Sequence, residues 1–237
     1  MVRLGYWLGF AVTLALGLAS GDPRRGAMVA VMWILLGALL IIVAPRAAHA
    51  AFVRGQFGAA RWRYQLLARL SPTEARRSAA RISVGGCRLA TGDVDGAERE
   101  LARVELADLD AAARVAWLNN RAYAALTRGG DPAPALAWSE EAARLRPDVP
   151  GVMHTRGKAL LAAGDAAAAI QAFESMWSLG ELAPRLEAER CRDLGRAWDA
   201  LGHRDYADDY RARAARVWPV EGAPAVTPPT GFVFDDA

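Results

Sequence analysis

The fold of this chain is indicated most clearly by residues 157–173, which read GKALLAAGDAAAAIQAF. Gly157 and Ala169 are small residues at which two helices can approach closely, and the bulky Phe173 fills the groove beside such a crossing. Gly164 lies between them and can adopt the left-handed conformation that ends a first helix. The stretch therefore predicts two helices that pack against each other across a tight turn.

The spacing in this stretch recurs along the chain as a glycine, a small residue five positions later, a bulky residue nine later and commonly a proline seventeen later. The successive glycines are 37, 38, 34 and 38 residues apart, at Gly55, Gly92, Gly130, Gly164 and Gly202. Another small residue precedes most of them, at Gly85, Ala122, Gly157 and Gly195. Because one hairpin buries only part of its apolar face, such units are expected to stack.

This pattern resembles the tetratricopeptide repeat, a helix-turn-helix unit of about 34 residues. The resemblance covers residues 46–219 and implies an all-α solenoid of about five units with a concave inner wall. It is weakest at Ser139 and Arg211, which occupy bulky positions, and in the first copy, where residues 45–54 are short for a helix. There the preceding apolar helix is expected to continue into the repeat. A related helical-hairpin solenoid is the alternative fold.

Two uncharged apolar runs precede the repeats, at residues 4–20 and 27–44, separated by the turn sequence GDPRRG. Each would extend roughly 25–27 Å as a helix, slightly short of the ~30 Å hydrocarbon core of a bilayer. They predict a transmembrane helical hairpin over residues 1–45. The alternatives are a cleaved signal peptide, with Ala48-His49-Ala50 as the cleavage site, and a buried hairpin of the folded core.

The flanking arginines indicate how such a hairpin would be oriented. The turn holds Arg24 and Arg25, whereas the flanks hold Arg3 on one side and several arginines after Pro45 on the other. Since arginine favours the cytoplasmic side, the expectation is a multi-pass protein of a bacterial inner membrane with a cytoplasmic repeat domain. A periplasmic repeat domain, resembling that of cytochrome c maturation proteins, is the alternative.

Composition excludes several classes of function. With 29 basic and 26 acidic residues interspersed along the chain, the net charge of +3 does not form the basic face that nucleic acids require. Cys87 and Cys191 have no nearby His or Cys partner, so we expect two buried thiols and neither a metal site nor a disulfide. No catalytic motif is present, and we expect no enzyme activity and no cofactor.

The resemblance implies a partner-binding surface on the inner wall, formed by the first helix of each repeat. Its register places eight residues there: Asn119, Tyr123, His154, Lys158, Glu189, Arg192, Arg196 and Asp199. The balance of charge on this wall is basic, which suits an extended peptide with acidic side chains or a free carboxylate.

The function predicted from these observations is a membrane-embedded scaffold that holds a partner protein or peptide in the groove of the solenoid. The alternative from another class is a non-catalytic subunit of a membrane enzyme or transport complex. Residues 220–237 contain Pro224, Pro228 and Pro229, which exclude a helix, so we expect an extended tail. This tail ends in apolar and acidic residues that match a basic groove, either its own or that of a partner.

Overall fold

The computed structural model describes residues 2–19 and 21–218, which form α-helices and short helical turns without any β-strand. The helices are α1 (Val2–Ala19), α2 (Pro23–Ala38), α3 (Ala44–Val53), α4 (Phe57–Leu70), α5 (Glu74–Ala90), α6 (Val94–Leu101), α7 (Ala111–Arg128), α8 (Ala133–Leu145), α9 (Pro150–Ala162), α10 (Ala166–Ser175), α11 (Pro184–Ala200) and α12 (Arg204–Val217). The predicted all-α class is confirmed. The predicted tail, residues 220–237, lies outside the described residues.

Helices α3 to α12 pair consecutively into five hairpins, each made of a first and a second helix. The first helices α5, α7, α9 and α11 pack side by side. Each second helix packs against the first helix of its own hairpin, and α4, α6, α8 and α10 also contact the first helix of the next hairpin. The first helices therefore form one layer of the solenoid and the second helices the other. We call the surface of α7, α9 and α11 that faces away from the second helices the inner wall.

The predicted turns lie where the sequence placed them. All five repeat glycines have the positive φ that side chains disfavour: +74° at Gly55, +80° at Gly92, +98° at Gly130, +88° at Gly164 and +81° at Gly202. In two repeats an aspartate follows the glycine and begins the second helix. Asp93 Oδ1 accepts a hydrogen bond from the backbone N–H of Gly96, and Asp165 Oδ1 from that of Ala168, each at 2.9 Å.

The small residues of the repeat lie at the contacts between helices. The five alanines that follow the turn glycines are at most 1% exposed, at Ala60, Ala97, Ala135, Ala169 and Ala207. Tyr64, Leu101 and Phe173, four residues after their alanines, are equally buried. Arg211, which holds the same position in the last repeat, is exposed; among the described helices, α12 packs mainly against α11.

Helices α1 and α2 form a hairpin that precedes the solenoid. Gly21 turns the chain with φ of +72°, and Asp22 caps α2 by accepting from Arg24 N at 2.9 Å. The helices cross closely, because a Cβ on Gly17 would lie 3.2 Å from Gly26 Cα. The predicted helical pair with a tight turn is therefore present.

The chain remains helical from Pro23 to Val53, since a π-helical turn at Leu39–Val43 joins α2 to α3. The apolar helix thus supplies the first helix of the first repeat, as expected for that copy. The boundary expected between residues 45 and 46 falls within this helical path. Among residues 2–19 and 21–218, no helix combines the length and the apolarity needed to cross a membrane. The two predicted spans are therefore unsupported: the second apolar run is divided between α2 and the π-helical turn.

Candidate functional site

The eight residues predicted for the inner wall divide into two groups by exposure. Four are at most 4% exposed, namely Asn119, Tyr123, His154 and Glu189. Lys158 and Arg192 are partly exposed, and Arg196 and Asp199 are exposed. The first group is buried because neighbouring first helices pack side by side and exclude water from the line of contact. Only the second group reaches the surface of the wall.

Asp193 of α11 connects this helix to α9 and contacts two of the predicted wall residues, although it was not itself among them. The side chain is buried, and Asp193 Oδ2 lies 3.1 Å from His154 Nε2. Arg196 Nη1 donates to Asp193 Oδ1 at 2.9 Å. One signal in the sequence could have identified Asp193. It lies three positions before Arg196, and residues three apart are neighbours on a helix surface.

The charges around Asp193 keep it ionised. Burial acts to raise the pKa of Asp193, but its contact with His154 and the charges of Lys158 and Arg196 outweigh burial and lower the pKa below its usual value. The buried Asp193 carboxylate therefore lies among basic side chains and neutralises part of their positive charge.

Lys158 connects α9 to α7. Its Nζ lies 5.0 Å from the centre of the Tyr123 ring, within the range of a cation–π interaction. Tyr123 is 2% exposed, so a buried ring holds the side chain of Lys158, which is partly exposed as a residue. This arrangement restricts the position of one positive charge on the wall.

Arg192 and Arg196 supply the other positive charges of the wall. Arg196 keeps a side-chain exposure of 64% while bonded to Asp193. Arg192 has no hydrogen-bond or ion-pair partner within the part of the chain that the structure describes. Asp199 contacts Arg211 of α12 instead, so its charge is directed toward the second helices. The accessible part of the wall therefore carries Lys158, Arg192 and Arg196.

Two polar residues of the inner layer are buried among the first helices, and only Asn120 connects one helix to another. Glu189 Oε1 lies 3.4 Å from Arg185 Nε, whereas its Oε2 is buried without a hydrogen-bond partner among the described residues. Asn120 Nδ2 donates to the carbonyl of Ile82 at 3.2 Å, which ties α7 to α5. Neither side chain offers an accessible polar group on the wall.

Both cysteines are buried and unpaired, as predicted. Burial raises the pKa of the Cys87 thiol to about 12 and that of Cys191 to about 11. Within residues 2–19 and 21–218, no group of three or more His, Cys, Asp or Glu side chains could hold a metal ion.

No protein-family model and no curated protein sequence matches this chain. Several solved structures are similar to this chain in fold. A thermophilic TPR protein of Thermus thermophilus has a TM-score of 0.57 at 17% identity, over 75% of this chain and 91% of that one. The pilF protein of Pseudomonas aeruginosa has a TM-score of 0.53 at 19% identity, over 92% and 95% of the two chains. A tetratricopeptide repeat protein of Parabacteroides merdae has a TM-score of 0.53 at 16% identity, over 89% and 79%.

At these identities the likeness shows the fold alone. Five stacked hairpins with left-handed glycine turns in phase, together with these neighbours, define the fold as that of tetratricopeptide-repeat proteins.

Proposed function

We propose that this protein is a non-enzymatic scaffold whose inner wall binds an acidic segment of a partner protein. The observation that carries the proposal is the set of accessible cations on adjacent first helices, Lys158 of α9 and Arg192 and Arg196 of α11. Three positive charges on one wall favour a ligand with carboxylates along its length.

The geometry supports a ligand that lies across the first helices. Lys158 is held by the Tyr123 ring, and Arg196 by Asp193, so both cations are positioned before any ligand arrives. Pre-positioning reduces the entropy that binding must overcome. Arg192 retains all its donors for a ligand, because no described residue occupies them.

Photocrosslinking in living cells tests the proposal. The photoreactive residue p-benzoylphenylalanine replaces Arg192 on the inner wall in one variant and exposed Arg204 on α12 in the matched control. The expected result is one or a few protein adducts at position 192 that are absent at position 204. Adding Lys158→Glu and Arg196→Glu should weaken these adducts. Identical adducts at positions 192 and 204 would assign the partner to another surface.

We further propose that the α1–α2 hairpin holds this scaffold at a membrane, without assigning a span to either helix. Beyond Arg24 and Arg25 near the turn, the hairpin and the π-helical turn expose many large hydrophobic side chains: Leu8, Val12, Leu16, Leu18, Met28, Val31, Met32, Ile34, Leu35, Leu36, Leu39, Ile42 and Val43. Between the two helices, Trp33 Nε1 donates to Thr13 Oγ1 at 2.9 Å. Apolar surfaces outside and a hydrogen bond between helices inside suit a lipid environment.

A cytoplasmic repeat domain is part of this proposal, because the arginines that follow the hairpin suit the negative surface of the cytoplasmic leaflet. An alkaline phosphatase fusion after Trp218 tests it, because this reporter is active only outside the cytoplasm. The expected result is an inactive fusion beside an active control fusion to an exported protein. An active fusion would place the repeats on the periplasmic side and favour an assembly factor acting there.

A further inference from the structure

The first repeat differs in charge from the rest of the chain. Between Asp22 and Glu74 there is no acidic residue, but there are seven arginines. The net charge is +7 over residues 1–73 and −4 over residues 74–237. Such a separation of charge along one chain favours different partners for the two parts.

Helix α4 of this repeat exposes an apolar stripe. Trp62, Leu66 and Leu70 are 64%, 38% and 43% exposed, and their spacing of four residues places them on one face of the helix. The opposite face, with Tyr64 and Leu67, supplies the core of the repeat. The stripe is therefore an additional apolar surface that the fold does not use.

The contacts between α3 and α4 show which residues lie at the same height. The rings of Phe52 and Phe57 are 5.4 Å apart, and Arg63 Nη1 donates to the carbonyl of Ala47 at 3.3 Å. The helices run antiparallel with an equal rise per residue, so a step forward on α4 matches a step back on α3.

Extended along the two helix axes, this register places the end of α4 at the level of the π-helical turn that follows the apolar hairpin. Leu66 lies level with Ala44, and Leu70 lies level with the π-helical turn at Leu39–Val43, whose Leu39, Ile42 and Val43 are exposed. The exposed apolar surface of α2 therefore continues along the chain axis to the height of the α4 stripe.

Basic and aromatic side chains lie at the height where this apolar surface ends. Arg46 and Arg69 are exposed within a few residues of the level of Ala44, on α3 and α4. Trp62 lies about 6 Å further from the hairpin, at four residues of helical rise. Tryptophan and arginine beside an apolar surface are typical of the boundary between lipid and water.

The nearest acidic residue along the chain does not neutralise this region. Glu74 begins α5, and its carboxylate pairs with Arg77 at 2.6 Å and Arg81 at 2.9 Å. The positive charge of Arg69 on α4 is therefore left available to an external anion.

We propose that the first repeat docks on an anionic lipid surface. Trp62, Leu66 and Leu70 of α4 contact the apolar part of that surface, and Arg46 and Arg69 bind the headgroup phosphates. This inference rests on the proposed membrane attachment of the α1–α2 hairpin and adds a lipid-binding face in the folded repeat domain. The charge of the face selects anionic over zwitterionic lipid. The docked repeat leaves the inner wall of the later repeats free for a partner.

The test uses the full chain with the environment-sensitive fluorophore NBD attached at Leu66→Cys. The native thiols are buried with raised pKa values, so the added cysteine takes the label. A matched sample carries the label at Leu106→Cys, which is 49% exposed in the second repeat. Vesicles of phosphatidylcholine alone are compared with vesicles that also contain phosphatidylglycerol, and flotation measures attachment separately.

The expected result is flotation with both vesicles and a blue shift at position 66 only with phosphatidylglycerol, with no shift at position 106. Arg46→Glu with Arg69→Glu should abolish the shift, whereas Arg204→Glu with Arg216→Glu should not. Flotation without a shift at position 66 would overturn the docking proposal and leave the attachment standing. Absence of flotation would overturn both. A blue shift at position 66 that appears in concentrated protein without vesicles would mean that a second copy of the chain covers this face. That result would overturn the lipid proposal.

Discussion

Gly157 of α9 faces the ring of Phe173 of α10 so closely that a Cβ on Gly157 would lie 2.4 Å from Phe173 Cε1. Phe173 is fully buried, so its ring has no free space into which to move. At this contact between α9 and α10 there is room only for the hydrogen atom of a glycine. The seven-residue spacing between Gly157 and the turn glycine is therefore required by the packing of the repeat.

Replacing Gly157 with leucine should lower the free energy of unfolding by about 1–3 kcal/mol, because overpacking a full contact forces side chains from their preferred rotamers. Urea unfolding followed by circular dichroism measures this change. Gly58→Ala is the matched control. Gly58 lies in α4 with open space around the position that a Cβ would take, so alanine there should stabilise by about 0.5–1 kcal/mol. Unchanged unfolding of Gly157→Leu would show that the repeat register is wrong.

The Glu187–Arg190 pair gives a second prediction about stability. The Arg190 side chain is fully buried, and its Nε and Nη2 donate to Glu187 at 2.8 and 2.9 Å. Glu187→Ala leaves the guanidinium without its carboxylate and should cost about 3–5 kcal/mol of unfolding free energy in urea titrations. The double variant Glu187→Ala with Arg190→Met should recover part of this loss. A double variant less stable than the single one would contradict this account of the pair.

The lowered pKa of Asp193 predicts a dependence of stability on pH. A carboxyl whose pKa is lower in the folded than in the unfolded state stabilises the fold above the ordinary aspartate pKa of about 4, and this contribution is lost as the pH falls through the folded pKa. Asp193→Asn should therefore be less stable than the wild type at pH 7, by about 1–3 kcal/mol. The difference should shrink as the pH falls below about 4.

Urea unfolding across this pH range makes the measurement, with Asp108→Asn as control, since Asp108 is exposed in a short helical turn. The control should differ little from the wild type at any pH. A constant difference between the wild type and Asp193→Asn from pH 7 to pH 2 would contradict the assigned role of the ionised carboxylate.

The two thiols should be almost unreactive in the folded protein. Their pKa values of about 12 and 11 leave little thiolate at pH 8. Reaction with Ellman's reagent should be more than about a hundredfold slower than that of an unfolded thiol with a pKa of about 8.5. In concentrated urea both should react at the ordinary rate. Rapid reaction of either thiol without denaturant would show that its helix packing opens readily.

The repeat architecture could be predicted from the sequence because local backbone geometry determines its landmarks. A left-handed turn residue strongly favours glycine, so the phase of Gly92 and Gly164 marks the turns directly. Burial of Ala97 and Ala169 follows from the same phase, since residues five positions apart keep a constant relation to the turn. These features depend on a few neighbouring residues within one hairpin.

The continuation of the apolar helix into the first repeat was expected, but the π-helical turn that permits it at Pro45 could not be predicted in this way. Proline usually ends a helix, which favours a domain boundary there. In the structure the π-helical turn shifts the hydrogen bonding so that the Ala44 N–H bonds to the carbonyl of Leu39, and Pro45 occupies the first turn of α3. This change of bonding just before Pro45 accommodates a residue that has no N–H to donate. The helix therefore continues.

Packing between repeats determined the rest of the site. The register placed His154 and Lys158 on the same wall, but only the distance between α9 and α11 decides that His154 is buried against Asp193. The distance between α9 and α11 depends on packing between repeats, so no sequence pattern within one repeat determines it. The role of these residues as a binding wall therefore stays a prediction, and the structure shows only which of them are accessible.

Selection of peptides from a displayed random library by the purified chain tests most directly whether the inner wall recognises acidic segments. The wild type should enrich peptides with several Asp or Glu residues, and Arg192→Glu with Arg196→Glu should lose this enrichment, because both accessible arginines of α11 then repel carboxylates. Arg204→Glu with Arg216→Glu, the same charge change on α12, should retain it. Enrichment of non-acidic peptides by the wild type, or equal enrichment by both double variants, would contradict the account.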